Sequence, residues 1–208
     1  MRYLFLLLFS VIAGVSFGQQ AYDIDSASYV WVKKNRVNFY LQPYYEQAPV
    51  LDETAGNVGL SWGLMVNDRF TAGSFVSVKV DNTYLPLVFP NSFTLNMVHG
   101  GLQLGYLSPV SDRISVGVDM RASMGEMEVS FRETFEDLSS ARFRVLQPGI
   151  ISEYQLFRFA KVYISASYRL VQGLELNGVD QESFNGVTWQ IGMKLGLFKR
   201  LKWQYEED

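Results

Sequence analysis

The chain has 208 residues, no cysteine and a formal net charge of −3. Without cysteine the chain has no disulfide framework, no thiolate chemistry and no lipid-acceptor cysteine. The small net charge is spread along the chain, so a basic face for nucleic acid is not expected.

The first 18 residues have the pattern of a secretory signal peptide. An apolar core from Leu4 to Val15 is followed by the small residues Ser16 and Gly18. The alternative, a membrane-spanning anchor, needs about 20 apolar residues, which is more than this core supplies. The pattern predicts export and cleavage after Gly18, with residues 19–36 as a periplasmic N-terminal segment.

Eight stretches after this leader alternate between apolar and polar residues, and turn residues end each of them. Because side chains alternate between the two faces of a strand, a period of two predicts β-strands rather than helices. The composition, rich in glycine and aromatic residues, also fits a single all-β domain over residues 37–198, followed by a C-terminal tail at 199–208. The predicted strands cover residues 37–44, 58–66, 70–80, 93–107, 113–125, 142–156, 161–171 and 187–198.

The predicted connections alternate between short and long. Short turns are expected at 67–69, 108–112 and 157–160. Longer and mostly polar connections are expected at 45–57, 81–92, 126–141 and 172–186. Short turns on one side and long loops on the other are typical of a transmembrane barrel, with periplasmic turns and extracellular loops.

The two faces of the strands indicate which side is the interior. The less apolar face is mainly glycine and serine with few charges, whereas a soluble barrel would cover its outside with charged residues. Small side chains suit the narrow interior of an eight-stranded barrel. We therefore expect the polar face to line the lumen and the apolar face to contact lipid. Aromatic residues near the strand ends are expected at the lipid boundary, namely Trp62, Phe70, Tyr106, Tyr154, Tyr168, Trp189 and Phe198.

The alternation changes phase at two points in the longer predicted strands. These are Met97–Val98 and Val145–Leu146, where apolar residues follow one another. A β-bulge is expected at each point. The alternative to the whole membrane interpretation is the aromatic-rich core of a soluble sandwich or barrel.

In this pattern the chain resembles the small outer-membrane β-barrels of the OmpA and OmpX transmembrane-domain class. It looks most like the outer-membrane β-barrel-domain proteins of Bacteroidota. In the last strand, Gln190, Gly192, Leu195 and Leu197 match the terminal-strand signal that barrel assembly machinery reads in this class. A common form of that signal ends the chain on an aromatic residue, whereas ten residues follow Phe198 here. The resemblance implies an eight-stranded antiparallel up-and-down barrel in the outer membrane of a Gram-negative bacterium, with lipid and the assembly machinery as partners.

Charged residues fall on the inward face of the last four strands. Buried charges persist when they are paired, so Glu153 and Lys194 are expected to pair inside a lumenal network that plugs the barrel. The alternative is a polar conduction path through a small pore. The predicted lumenal network comprises Tyr40, His99, Gln103, Asp119, Arg121, Glu153, Arg169 and Lys194.

The single histidine, His99, is the one candidate for nucleophilic catalysis. No serine lies two residues away from it to complete a nucleophile and base pair. We expect a hydrogen-bonding lumenal histidine and no enzyme activity, cofactor or metal.

The second long connection is the candidate surface for an extracellular ligand or protein. It carries the apolar run Leu85, Pro86, Leu87, Val88 and Phe89, which can either bind a partner or fold over the barrel mouth. The predicted function is a non-enzymatic outer-membrane protein with a plugged lumen, acting structurally or through its loops. Alternatives are a small pore, a surface receptor or adhesin, and a soluble lipocalin-like binder.

Overall fold

The computed structural model describes residues 36–50, 53–80, 93–131, 137–174 and 181–198. The predicted leader, the N-terminal segment up to residue 35, the tail at 199–208 and the loop residues 81–92 lie outside these ranges. The strands are β1 (Val37–Val50), β2 (Glu53–Val66), β3 (Phe70–Lys79), β4 (Phe93–Pro109), β5 (Ile114–Phe131), β6 (Asp137–Phe157), β7 (Ala160–Gln172) and β8 (Gly186–Gly196).

The eight strands form one closed barrel in which each strand pairs antiparallel with its neighbours in sequence, and β8 pairs with β1. This confirms the predicted fold class. Three short turns, at 67–69, 110–113 and 158–159, lie at one end of the barrel, which we call the turn end. Asn67 and Asp68 both adopt positive φ in the first turn, a conformation that their short polar side chains tolerate. The opposite end is called the loop end.

Two of the predicted long loops are mostly strand. Residues 45–50 and 53–57 belong to the β1–β2 hairpin, and β5 and β6 extend to Phe131 and from Asp137. The backbone ladder continues there although the outward apolar residues stop. The loss of alternation at the loop end therefore marks the edge of the apolar surface and not the end of the strands.

An apolar belt surrounds the outside of the barrel. On β5 the outward residues run from Ile114 to Met124 without a charge, and Glu126 follows. A rise of about 3.3 Å per residue and a tilt of about 40° make this belt about 25 Å tall, the height of the apolar band of outer-membrane barrels. Leu102, Ile150 and Met124 are 65%, 63% and 67% exposed, so this surface has no protein partner within the described chain.

The bulges predicted at Met97–Val98 and Val145–Leu146 are wrong. Pairing between β4 and β5, and between β5 and β6, runs in register through both points. The register instead shifts between Val129 and Ser130, and again between Gln155 and Phe157. The apparent change of phase arises because apolar residues line the interior at the loop end.

The interior has three levels along the barrel axis. A turn-end cap is formed by Tyr40, Met65 and Phe198. Buried charged and polar side chains occupy the middle, together with a small cluster of Tyr44, Phe75, Leu107, Ile151 and Tyr163. An apolar group, called the upper cluster, fills the loop end and consists of Val50, Ala55, Leu95, Met97, Met127, Ala141, Phe143, Val145, Val171, Leu174 and Phe184.

The seam between β1 and β8 is interrupted near its centre, as the β6–β7 ladder is at Gln147 and Pro148. Register pairs occur at Tyr40 and Leu41 and resume at Tyr44, so the ladder is interrupted at Gln42 and Pro43. Proline has no N–H to donate, which accounts for a gap at this point.

Candidate functional site

Every lumenal residue predicted from the sequence lies buried inside the barrel. The buried set is Tyr40, His99, Gln103, Asp119, Arg121, Glu153, Arg169 and Lys194. These side chains come from six different strands, and strict alternation turns each of them inward.

Glu153 on β6 is the centre of the best-connected group. One carboxylate oxygen accepts a hydrogen bond from Lys194 Nζ, and the other accepts one from Lys161 Nζ at 3.1 Å. Lys161 and Lys194 lie directly opposite each other on β7 and β8, an arrangement that is destabilising for like charges. The carboxylate of Glu153 neutralises part of this repulsion, so the three side chains form one unit.

Arg121 on β5 is the centre of a second group. Its Nη1 lies 3.6 Å from Glu46 Oε2 on β1, across the lumen, and its Nε lies 3.8 Å from Asp119 Oδ2. The guanidinium also lies 4.8 Å from the centroid of the Tyr44 ring. Gln147 Nε2 donates to Glu46 Oε2 at 3.3 Å and extends this group to β6. Together the two groups are called the ion network.

The other predicted members make different contacts. Tyr40 contacts Lys194 with its ring, whose centroid lies 5.2 Å from Nζ, and not with its hydroxyl. Gln103 is buried directly opposite Arg121 in the register. Arg169 is fully buried, and its Nη2 donates to Met97 Sδ at 3.7 Å. Arg169 therefore lies where the ion network meets the upper cluster.

His99 has a serine partner that sequence spacing does not show. Its Nδ1 shares a hydrogen bond of 3.1 Å with the Oγ of Ser123, which comes from the neighbouring strand β5. The rings of Phe75 and Phe143 lie 5.7 and 6.1 Å from the imidazole ring. Within the described chain His99 Nε2 has no hydrogen-bond partner, so no acidic residue there completes a catalytic triad.

Phe198 is one of the predicted boundary aromatics, and that prediction is wrong. Its ring is 1% exposed and lies inside the turn-end cap, with Lys161 Nζ 4.6 Å from the ring centroid. Phe198 shares the inward parity of Lys194, so alternation alone places it inside.

Two members of the predicted assembly signal have clear structural contacts. Gln190 Nε2 donates to the Tyr163 hydroxyl at 2.8 Å. Gly192 lies beneath the same ring, where a Cβ atom would come within 2.7 Å of Tyr163 Cε1, so glycine is required. Leu195 and Leu197 have outward parity, and Leu197 is exposed. Recognition of these residues by assembly machinery stays a prediction.

Two charged members of the ion network are absent from the sequence prediction. The pattern places Glu46 in a loop, because the predicted first strand ends at Tyr44. Lys161 lies within the predicted seventh strand and shares the parity of Tyr163, so strict alternation is the signal that could have found it. The upper cluster is concealed because the pattern reverses at that level, with apolar residues inside and mostly polar residues such as Glu126, Arg142 and Arg144 outside.

The described ranges hold neither a metal-ligand cluster nor a spanning helix. In the part of the chain that the structure describes, no three His, Asp or Glu side chains are grouped as metal ligands. No helix among those residues has the length and apolar character needed to cross a bilayer. The predicted loop residues Leu85 to Phe89 lie outside these ranges.

No protein-family model and no curated protein sequence matches the chain. Similar solved structures include neisserial surface protein A, NspA, at 11% identity, with 79% of this chain and 99% of that one covered and a TM-score of 0.53. Two others are the attachment invasion locus protein Ail of Yersinia pestis and a major outer membrane protein of Thermus thermophilus. Ail has 10% identity, coverage of 78% and 97% and a TM-score of 0.48. The Thermus protein has 10% identity, coverage of 77% and 99% and a TM-score of 0.47. The likeness to NspA, together with the closed topology, shows that this chain has the fold of the eight-stranded outer-membrane β-barrels.

Proposed function

We propose that the chain is an integral, non-enzymatic outer-membrane protein with a closed lumen, acting structurally or through the surface at its loop end. The turn end faces the periplasm, so residues 19–36 and 199–208 are periplasmic and residues 1–18 form the cleaved leader. The narrower resemblance to proteins of Bacteroidota stays a prediction.

The main support for this proposal is that the barrel exposes apolar residues on its outside and buries charged residues inside. Its outside is an apolar belt with exposed Leu102, Ile150 and Ile191, while its inside holds Glu153, Lys194 and other charges. A soluble lipocalin-like binder would need a polar outer surface, because that surface is in contact with water. The lipocalin alternative therefore does not account for this barrel, and lipid is the solvent that does.

The closed lumen is supported by filled interior space at every level. The turn-end cap, the ion network and the upper cluster follow one another along the axis, and each contains side chains that are fully or almost fully buried. An eight-stranded barrel is just wide enough for side chains to fill. This arrangement favours a plugged barrel over the small-pore alternative.

The absence of enzyme activity is proposed from the site around His99. The His99–Ser123 pair is buried below the upper cluster, and Phe75 and Phe143 lie against the imidazole. A lipid or peptide substrate would have to displace this packing to reach Ser123 Oγ. The pair therefore fits a structural hydrogen bond better than a nucleophile and its base.

Planar-bilayer recording tests the closed lumen. We expect the wild-type chain to show no steady conductance. Because the upper cluster lies above the ion network, Glu153→Ala alone is also expected to stay closed, and current is expected when Met127→Ala and Phe143→Ala are added. Steady wild-type channels whose ion selectivity changes in Lys194→Met would contradict the closed lumen and support the small pore.

The loop end carries the candidate surface for an extracellular partner. The apolar run from Leu85 to Phe89 remains the candidate contact for an extracellular ligand or protein. Among the similar structures, Ail has been solved in complex with the heparin analogue sucrose octasulfate. The loop would be tested by measuring how intact cells that carry the chain bind to extracellular proteins. Cells that carry a variant with Leu85 and Phe89 changed to serine would be measured in the same assay.

A further inference from the structure

The outer surface at the loop end carries two arginines where the apolar belt stops. Arg142 and Arg144 have outward parity on β6 and are exposed. The next outward residue toward the turn end is Leu146, which belongs to the belt. The two guanidiniums therefore lie at the edge of the apolar surface, at the level of lipid headgroups.

A surface groove runs from these arginines down into the belt. Its lower part is lined by Gly100, Leu102, Ala122, Met124 and Leu146. The groove exists because, at outward positions, Gly100 has no side chain and Ala122 has only a methyl group, next to the larger Leu102 and Met124 on the same two strands. Its upper part is lined by Arg142, Arg144, Met124, Gln172 and Gly173, and Arg144 lines both parts.

The charge in the groove is available to a ligand. Neither Arg142 nor Arg144 makes an ion pair with any residue that the structure describes. Glu126 lies directly opposite Arg142 in the register and competes for it, whereas the residues opposite Arg144 are Met124 and Gln172. Arg144 is thus the principal anion-binding group, with Arg142 beside it.

We propose that this groove binds a phosphorylated lipid of the leaflet on the loop-end side, with the phosphate on Arg144 and Arg142 and an acyl chain along Leu102, Ala122 and Leu146. Guanidinium groups form paired, charge-assisted hydrogen bonds to phosphate, and these are stronger at the edge of a low-dielectric layer. An apolar groove that continues directly from the arginines fits an amphiphile and not a free anion. The proposal rests on the membrane orientation proposed above.

Native mass spectrometry of the detergent-purified full chain tests this, with phosphorylated lipid A as the probe. Loss of charge-assisted hydrogen bonds to phosphate is expected to weaken lipid A binding about tenfold in Arg144→Gln and further in the variant that also carries Arg142→Gln. Arg144→Lys keeps the charge without the paired geometry and is expected to fall between the wild type and Arg144→Gln. Arg158→Gln removes the same charge from the exposed turn at the opposite end and is the matched control.

Two further arms separate the ligand sources. Dephosphorylated lipid A is expected to bind as weakly to the wild type as lipid A binds to Arg144→Gln. Inorganic phosphate is expected not to displace lipid A, and Ala122→Leu, which fills the groove, is expected to weaken binding, with Ala72→Leu on β3 as its control.

The proposal is overturned if Arg144→Gln binds lipid A as the wild type does, or if inorganic phosphate competes with lipid A at similar concentration. Heat-dependent migration on SDS gels would show that each variant is folded. If lipid A binding fails in this way, the chain is still expected to require detergent for extraction. A chain that is soluble without detergent would instead contradict the membrane proposal itself.

Discussion

The middle of the barrel interior and its loop end depend on different kinds of contact. In the ion network, Glu153 bonds two lysines from two other strands, so removal of one partner leaves charge buried inside the barrel. In the upper cluster, Met127, Phe143 and their neighbours make apolar contacts, so truncation of one removes only its own share of packing. The ion network specifies which strands must meet, whereas the upper cluster fills space with little demand on the identity of each residue.

This difference also affects how a substitution can be rescued. A buried charge left without a partner can be rescued by removing the orphaned charge as well. A cavity in an apolar cluster is relieved only by filling it. Rescue experiments can therefore tell the two regions apart.

The largest effect is expected for Glu153→Ala. Loss of this carboxylate leaves Lys161 and Lys194 opposite each other and uncompensated, and breaking a buried pair costs about 3 to 5 kcal/mol. Urea unfolding in detergent micelles would measure the loss. The triple variant, which adds Lys161→Met and Lys194→Met, is expected to recover most of the lost stability. A triple variant less stable than Glu153→Ala would contradict the conclusion that the three side chains form one unit.

Met127→Ala in the upper cluster is expected to cost about 2 to 5 kcal/mol, as do other buried Met to Ala changes. Met124→Ala on the same strand is its control, because Met124 faces outward and is 67% exposed. Addition of Lys194→Met is not expected to rescue Met127→Ala. Rescue by Lys194→Met would show that the ion network and the upper cluster are coupled, and would contradict their description as two independent regions.

A charge on the outward face of β8 is expected to destabilise the barrel, whereas a paired charge on its inward face is tolerated. Ile191→Arg is expected to cost about 2 to 4 kcal/mol because it places a cation in the apolar belt near the bilayer centre. Lys194, three residues away, is tolerated inside because Glu153 pairs with it. Ser140→Arg, at an exposed loop-end position, is the control in the same unfolding assay. Equal stability of the Ile191 and Ser140 variants would contradict the lipid-facing assignment.

The smallest effect is expected at the border between the two regions. Ser123→Ala removes the hydrogen bond to His99 Nδ1 and is expected to cost about 0.5 to 1.5 kcal/mol. The change in unfolding midpoint would measure it, and no hydrolysis of lipid or peptide esters is expected from either the wild type or the variant. Ester hydrolysis that disappears in Ser123→Ala would identify an enzyme.

The sequence was sufficient for the strand number, the order of pairing and the inward parity of the lumenal charges, because alternation appears in every predicted strand. It assigned Phe198 to the wrong face and predicted two phase changes that the strands do not have. The sequence also predicted that Asp119, Arg121, Glu153 and Lys194 face the lumen, because these charged residues lie within otherwise apolar stretches. It could not show the upper cluster, because the apolar face turns inward there, with Leu95 and Met97 inside and Asn96 outside, whereas lower in the barrel the apolar face is outward. It could not show the His99–Ser123 contact either, because that contact depends on the register between β4 and β5.

The seam at Pro43 has a consequence for how the chain folds. β1 and β8 come from opposite ends of the barrel sequence, so their pairing is the most non-local of all the ladders and has the highest cost in loop-closure entropy. Glu153, Lys161 and Lys194 lie on the consecutive strands β6, β7 and β8, so this group can assemble before the two ends of the sequence join. Arg121 on β5 instead contacts Glu46 on β1 across the lumen, so this ion pair forms as the barrel closes. Barrel closure and the assembly of the Arg121 group are therefore one event, and amide hydrogens along the seam between β1 and β8 are expected to exchange early with solvent.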